Sequence, residues 1–132
     1  MSESVVVTLD GRVHDADRPL LFADDLAAVR GDGAFETLLV RDGSACGVEL
    51  HLARLAVSAA ALDLPVPDPD AWRAVIEQSV GLWTEKSTDE GVLRLVLSRG
   101  REGGGDPTAF VTLGPLPGRV RNARENGVSV MT

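Results

Sequence analysis

The sequence has 132 residues, a mass of 13.9 kDa, a net charge of −7 and a pI near 4.7. Such a charge argues against non-specific binding to nucleic acid or to an anionic membrane surface, and no run approaches the ~20 apolar residues of a membrane span. One cysteine, Cys46, leaves no internal disulfide to form, and with only His14 and His51 beside it the chain offers no transition-metal ligand set.

The opening MSESVVVTLDGR has neither a basic n-region nor a signal-length apolar stretch. With the lone thiol this predicts a soluble, cytoplasmic protein, and Cys46 itself reads as a small packing residue. Ser4 to Leu9 is a β-branched run followed by Asp10-Gly11 and Arg12-Val13-His14, which predicts two strands joined by a two-residue turn. Asp24 to Arg30 has the pattern of two helical turns, and Ala34 to Arg41 reads as a strand ended by Asp42-Gly43.

From Glu49 to Leu64, Leu52, Leu55, Ala59 and Leu62 recur on one buried helical face, and Pro65 and Pro67 stop the helix. Asp70 to Lys86 predicts a second helix carrying Trp72, Val75, Ile76, Val80 and Trp83, with Asp68 or Asp70 as N-cap. Val92 to Arg99 and Thr108 to Leu113 read as strands around the glycine-rich loop Gly100 to Asp106. Pro115, Pro117 and Gly118 then mark a boundary. The expected organisation is a small domain over 1–114, a linker over 115–126 and the first strand of another domain over 127–132, ending at Thr132. The element order predicts an α+β fold, an antiparallel-rich sheet covered on one face by two helices.

Several side chains on these elements could carry chemistry. His51, Arg54 and Ser58 share a stripe beside the apolar face of the first long helix. A guanidinium there could fork a phosphate; by spacing alone the stripe reads first as a solvated helix flank. Strand alternation puts Arg94 and Arg99 on opposite faces, as two surface charges or as groups meeting an anion. The glycine loop satisfies neither phosphate-loop pattern and reads as a plain loop. Asp15, Asp17, Asp24, Asp25 and Asp32 lack the spacing of a calcium loop. No Gly-x-Ser-x-Gly elbow is present for a nucleophilic serine.

Four segments, in order, resemble a known family. They are Asp17-Arg18-Pro19-Leu20-Leu21-Phe22, Arg30-Gly31-Asp32-Gly33-Ala34-Phe35-Glu36-Thr37-Leu38, His51-Leu52-Ala53-Arg54-Leu55 running on to Ser58-Ala59, and Leu93-Arg94-Leu95-Val96-Leu97-Ser98-Arg99-Gly100. Together they are similar to the N-terminal half of the class IV, fold-type IV pyridoxal-phosphate enzymes, which include branched-chain and D-amino-acid aminotransferases and aminodeoxychorismate lyase. The Leu-Val-Leu-Ser-Arg-Gly run looks most like the lyases. Ala23 to Arg30 departs from the family pattern, in which Phe22 would lie close to the Gly-Asp-Gly motif.

The resemblance implies pyridoxal 5′-phosphate as cofactor, with Arg54 binding its phosphate. It also implies Phe35, Arg94 and Arg99 facing a small substrate that bears an amine and carboxylates, and a homodimer. Phe35 stands where D-amino-acid aminotransferases carry a tyrosine hydroxyl. The family's Schiff-base lysine has no match: Lys86, the one lysine, lies in the polar stretch Thr84 to Glu90. The resemblance therefore places that lysine beyond Thr132, and no catalytic residue is expected within the chain. The expectation is an N-terminal portion of a lyase converting 4-amino-4-deoxychorismate to 4-aminobenzoate and pyruvate, inactive by itself. A class IV aminotransferase, or an anion-binding or dimerisation module without catalysis, stands as the alternative.

Overall fold

The computed structural model describes residues 4–31, 33–65 and 68–116, with the side chains of Val29 and Arg30 left aside. The expected linker past residue 116 and the strand at 127–132, Thr132 included, lie outside the described residues.

The elements run β1 (Val5–Thr8), β2 (Val13–His14), α1 (Leu26–Arg30), β3 (Gly33–Arg41), β4 (Ser44–Ala45), α2 (Val48–Ala61), α3 (Pro69–Lys86), β5 (Gly91–Ser98) and β6 (Thr108–Pro115). The six strands form one antiparallel sheet in the order β2-β1-β6-β5-β3-β4. This is the expected α+β arrangement, with α2 and α3 packed on one face.

Register explains which face they cover. Ala34, Glu36, Leu38 and Val40 of β3 stand opposite Leu97, Leu95, Leu93 and Gly91 of β5. Leu95 and Leu93 stand opposite Val111 and Leu113, which pair with Val7 and Val5. All these strand side chains but Glu36 are apolar, and they are buried beneath Leu52, Leu55, Ala59, Trp72, Ile76 and Trp83 of the helices. Gly91 sits under this layer because a Cβ there would come within 2.9 Å of Leu113 and 3.1 Å of Trp83.

The helices follow the expected periodicity. Asp68 caps α3 by accepting from the Asp70 amide, with Pro69 in the first turn. Arg73 of α3 forks Glu49 of α2 through Nε and Nη2 at 2.9 and 2.6 Å, fixing the two helix starts together.

The two Asp-Gly turns differ from expectation. At Asp10-Gly11 the loop has three residues: Gly11 donates to the Thr8 carbonyl, takes a φ of +87°, and Thr8 donates to Arg12. At Asp42-Gly43 both residues have positive φ, +52° and +74°, and Arg41 pairs with Ser44. The two-residue hairpin therefore forms there, and it adds the short β4 that the sequence reading lacked. Cys46, expected as a packing residue, is exposed beyond this turn, because β4 lies at the sheet edge.

The second face of the sheet is covered by no helix longer than α1 among the described residues. Asp25 fastens α1 to it. Its buried carboxylate caps α1 at the Ala27 amide (3.0 Å) and accepts from Ser98 Oγ and Thr108 Oγ1, both at 2.6 Å. Leu26 donates to the Gly100 carbonyl and Glu102 to that of Asp24. Arg101 pairs with Asp24 at 2.8 Å while lying 4.1 Å above the Phe22 ring. The Ala23–Arg30 stretch is thus tied to the loop after β5.

Candidate functional site

The outer edge of β3 positions the site. β4 pairs only with Val40 and Arg41, and the Cys46 amide reaches the Leu39 carbonyl. Before that point, among the described residues, Gly33 to Leu38 carry no strand on the outer side. Phe35 and Glu36, consecutive there, project to opposite faces.

On the helix side, Glu36 is a carboxylate only 9% exposed. A buried carboxylate needs partners, and α2 supplies two, three residues apart. His51 Nδ1 lies 2.7 Å from Glu36 Oε1, so Nδ1 carries the hydrogen and donates. Arg54 Nε lies 3.4 Å from the same oxygen. Arg54 is otherwise outward, its side chain 62% exposed, and with Glu36, Ala53, Val57 and Ser58 it lines an open recess of about 320 Å³. His51 and Arg54 are thereby gathered around one acidic group, with Ser58 lining the same recess.

On the other face Phe35 is 54% exposed and Arg94 is exposed. Arg94 stands opposite Thr37, and Phe35 opposite Val96, so Phe35 and Arg94 are diagonal neighbours on adjacent strands. Arg94 belongs to a central strand, flanked by Thr37 and Thr112. Its charge sits over the open face rather than at a sheet edge.

Arg99 is not brought to this group. Its guanidinium donates to the carbonyls of Leu62 and Asp63 at the end of α2, on the helix side. Those carbonyls lack helical donors, and a cation there meets the negative end of the helix dipole. Arg94 and Arg99, both implied by the resemblance to face the substrate, stand on opposite faces of the sheet, as strand alternation leads one to expect.

Two residues with local consequences went unassigned in the sequence. Glu36 was visible only as part of a motif, and nothing in its spacing announced a buried carboxylate shared by His51 and Arg54. Asp25 was hidden in an acidic run, since its partners Ser98 and Thr108 are 73 and 83 residues away. Burial pushes its carboxyl up, but the hydrogen bonds from Ser98, Thr108 and the Ala27 amide outweigh that and hold it below the ordinary value.

Lys86 is exposed at the end of α3 and borders a separate hollow formed by Thr84 to Asp89. The Schiff-base lysine was expected beyond Thr132, a residue that itself lies outside the described ones. A larger recess, about 590 Å³, lies between the β1–β2 hairpin and the start of α3, lined by Thr8, Arg12, His14 and Trp72 among others. It holds none of Phe35, Glu36, Arg54 or Arg94, and the chemistry of the β3 edge outweighs its size. Among the described residues, no group of three or more His, Cys, Asp or Glu could hold a metal ion, and no helix is long and apolar enough to cross a membrane.

Comparison with known proteins identifies the family. The profile of the family amino-transferase class IV matches residues 33–131. The chain is 59% identical over 128 residues to a bifunctional aminodeoxychorismate lyase / D-amino acid transaminase of Mycobacterium tuberculosis, covering 97% of this chain and 44% of that protein. Its structure superposes with a TM-score of 0.90 on a hypothetical aminotransferase from Mycobacterium tuberculosis in its PLP-bound form, at 58% identity over 93% of this chain and 44% of the other. A fold IV-transaminase from Curtobacterium pusillum superposes with a TM-score of 0.83 at 34% identity, covering 88% of this chain and 44% of that one. The chain thus spans less than half the length of these relatives. It belongs to the class IV aminotransferase family.

Proposed function

We propose that this chain, as a member of the class IV aminotransferase family, supplies the arginine-bearing domain of a pyridoxal-phosphate-dependent aminodeoxychorismate lyase. The reaction is conversion of 4-amino-4-deoxychorismate to 4-aminobenzoate and pyruvate. The observation that carries the reading is Arg54, largely exposed at an open recess beside the unpaired edge of β3, with its Nε 3.4 Å from Glu36 Oε1. The name of the Mycobacterium tuberculosis relative supports the same activity.

The residues fit the cofactor's phosphate. An exposed guanidinium offers two parallel donors to a phosphate dianion, and Ser58 in the same recess adds a hydroxyl. When bound, pyridoxal phosphate supplies an electron sink for charge developing at the amine-bearing carbon of the substrate. The chain's own residues bind and orient. Arg54 holds the phosphate, Phe35 walls the substrate with an apolar ring, and Arg94 attracts a carboxylate over the open sheet face. The substrate carries two carboxylates, which suits a site furnished with arginine. Arg99 is assigned to the scaffold, since its donors serve α2.

The lysine that takes and returns protons in this chemistry is assigned to residues beyond Thr132, because Lys86 lies on another part of the surface. A homodimer acting in the cytoplasm on a small-molecule substrate completes the proposal.

A second reading, D-amino-acid transamination, is favoured by one observation, the second activity in the name of the same relative. Phe35 speaks against it, because a phenyl ring removes the hydroxyl donor found at that position in D-amino-acid aminotransferases. The test is to give the full-length polypeptide 4-amino-4-deoxychorismate, and separately D- and branched-chain amino acids with keto-acid acceptors. Pyruvate released without any acceptor identifies the lyase. Amino-group transfer to a keto acid, without release of pyruvate from 4-amino-4-deoxychorismate, would sink the reading.

A further inference from the structure

Glu36 is the only charged side chain on the helix-covered face among the β3 and β5 residues whose register is described above. Its neighbours there are Ala34, Leu38 and Leu95. A carboxylate in that setting carries a desolvation penalty that an apolar residue would avoid. The core gives no reason for it, so its reason lies with its partners.

Those partners are arranged asymmetrically. His51 holds Oε1 closely, at 2.7 Å, and is itself largely covered. Arg54 meets the same oxygen from outside, with Nε at 3.4 Å. A guanidinium has one edge made by Nε and one amino group, and another made by both terminal amino groups. A contact at Nε limits rotation of the long side chain, whose guanidinium is largely exposed at the recess. His51, one turn back on the same helix, keeps the gripping carboxylate from following Arg54 outward.

We propose that Glu36 is a positioning residue: it holds the Nε edge of Arg54 so that the terminal amino groups form a fixed fork for a phosphate group, with His51 steadying the carboxylate. The inference rests on the reading of Arg54 as a phosphate ligand given above. It makes a prediction opposite in sign to simple electrostatics. Removing the negative charge of Glu36 should strengthen anion binding if charge alone mattered. Loss of orientation weakens it, because the fork must then be ordered at the moment of binding.

The experiment is an NMR titration of the 132-residue chain with inorganic phosphate, following the Arg54 Nε–H signal and backbone amides of α2. The variants are Arg54→Ala, Glu36→Gln and Glu36→Asp, each checked for folding by circular dichroism. The expected result is saturable binding by the parent chain, its loss in Arg54→Ala, and affinity reduced by about fivefold or more in both Glu36 variants. Glu36→Asp keeps the charge while shortening the reach, so it decides the matter should Glu36→Gln fail to fold. Unchanged or tighter phosphate binding in a folded Glu36 variant overturns the positioning role while leaving Arg54 as ligand intact. Equal binding by the parent chain and Arg54→Ala overturns the phosphate reading and the positioning role with it.

Discussion

Arg94 and Arg99 are five residues apart at β5 and its end, yet they serve opposite faces of the sheet. Arg94 stands between Thr37 and Thr112 on the open face, while Arg99 closes the carbonyl end of α2 at Leu62 and Asp63. An odd spacing along an extended chain imposes this separation. Replacing Arg99 with alanine is expected to destabilise the domain by about 1 kcal/mol, through lost hydrogen bonds to the helix end. Replacing Arg94 should move stability by no more than about 0.5 kcal/mol and instead raise KM for the carboxylate substrate in the full-length polypeptide. Urea unfolding of both variants beside steady-state kinetics separates the roles; an Arg99 variant as stable as the parent would refute the capping assignment.

Asp25 gives the domain an acid-sensitive element. Its carboxyl is held below the ordinary ~3.9 by the donors that outweigh its burial. A depressed folded value means the stabilisation is present above the unfolded value and is lost as pH falls through the folded one. Asp25→Asn should therefore lower stability at pH 7 by about 1–3 kcal/mol and flatten the decline below about pH 4. Denaturant midpoints measured from pH 7 down to 3 would show parallel curves for parent and variant if Asp25 had no such part.

The loop after β5 depends on Gly100. Its φ is +96°, and a Cβ there would lie 2.4 Å from the Asp106 carbonyl oxygen, a backbone atom with little room to yield. Because Gly100 also accepts the Leu26 amide through its carbonyl, Gly100→Ala should both destabilise the domain, by about 2 kcal/mol or more, and loosen α1. Hydrogen exchange at Leu26 and Glu102 should quicken; unchanged protection at both amides would contradict the coupling.

Much of this was legible in the sequence, for reasons that differ by element. Both long helices announced themselves through apolar spacing, and Asp68 capped as its side-chain chemistry suggests. The turns were harder. Asp10-Gly11 and Asp42-Gly43 are the same dipeptide, yet the first became a three-residue loop and the second a two-residue hairpin, because pairing of the flanking strands chose the register. Phe35, Arg54 and Arg94 were singled out as candidates through motif resemblance. The grouping of Arg54 with Glu36 and His51 needed the helix laid against the strand. Asp25 needed two partners more than seventy residues away.

The 132-residue chain alone is expected to form no stoichiometric covalent adduct with pyridoxal phosphate. Lys86 is exposed and borders none of the recess that contains Arg54, and a reactive amine needs desolvation or a neighbouring cation. Borohydride treatment followed by intact-mass measurement reads this directly. One cofactor fixed per chain at Lys86 would defeat the expectation.

The most direct test of the account is the affinity of the full-length polypeptide for pyridoxal phosphate with Arg54 intact and with Arg54→Ala. Loss of a charge-assisted phosphate fork should raise the Kd at least about tenfold, some 1.4 kcal/mol, in a protein that circular dichroism shows to be folded. An unchanged Kd in a folded Arg54→Ala protein would contradict the assignment of this domain as the arm that holds the cofactor's phosphate.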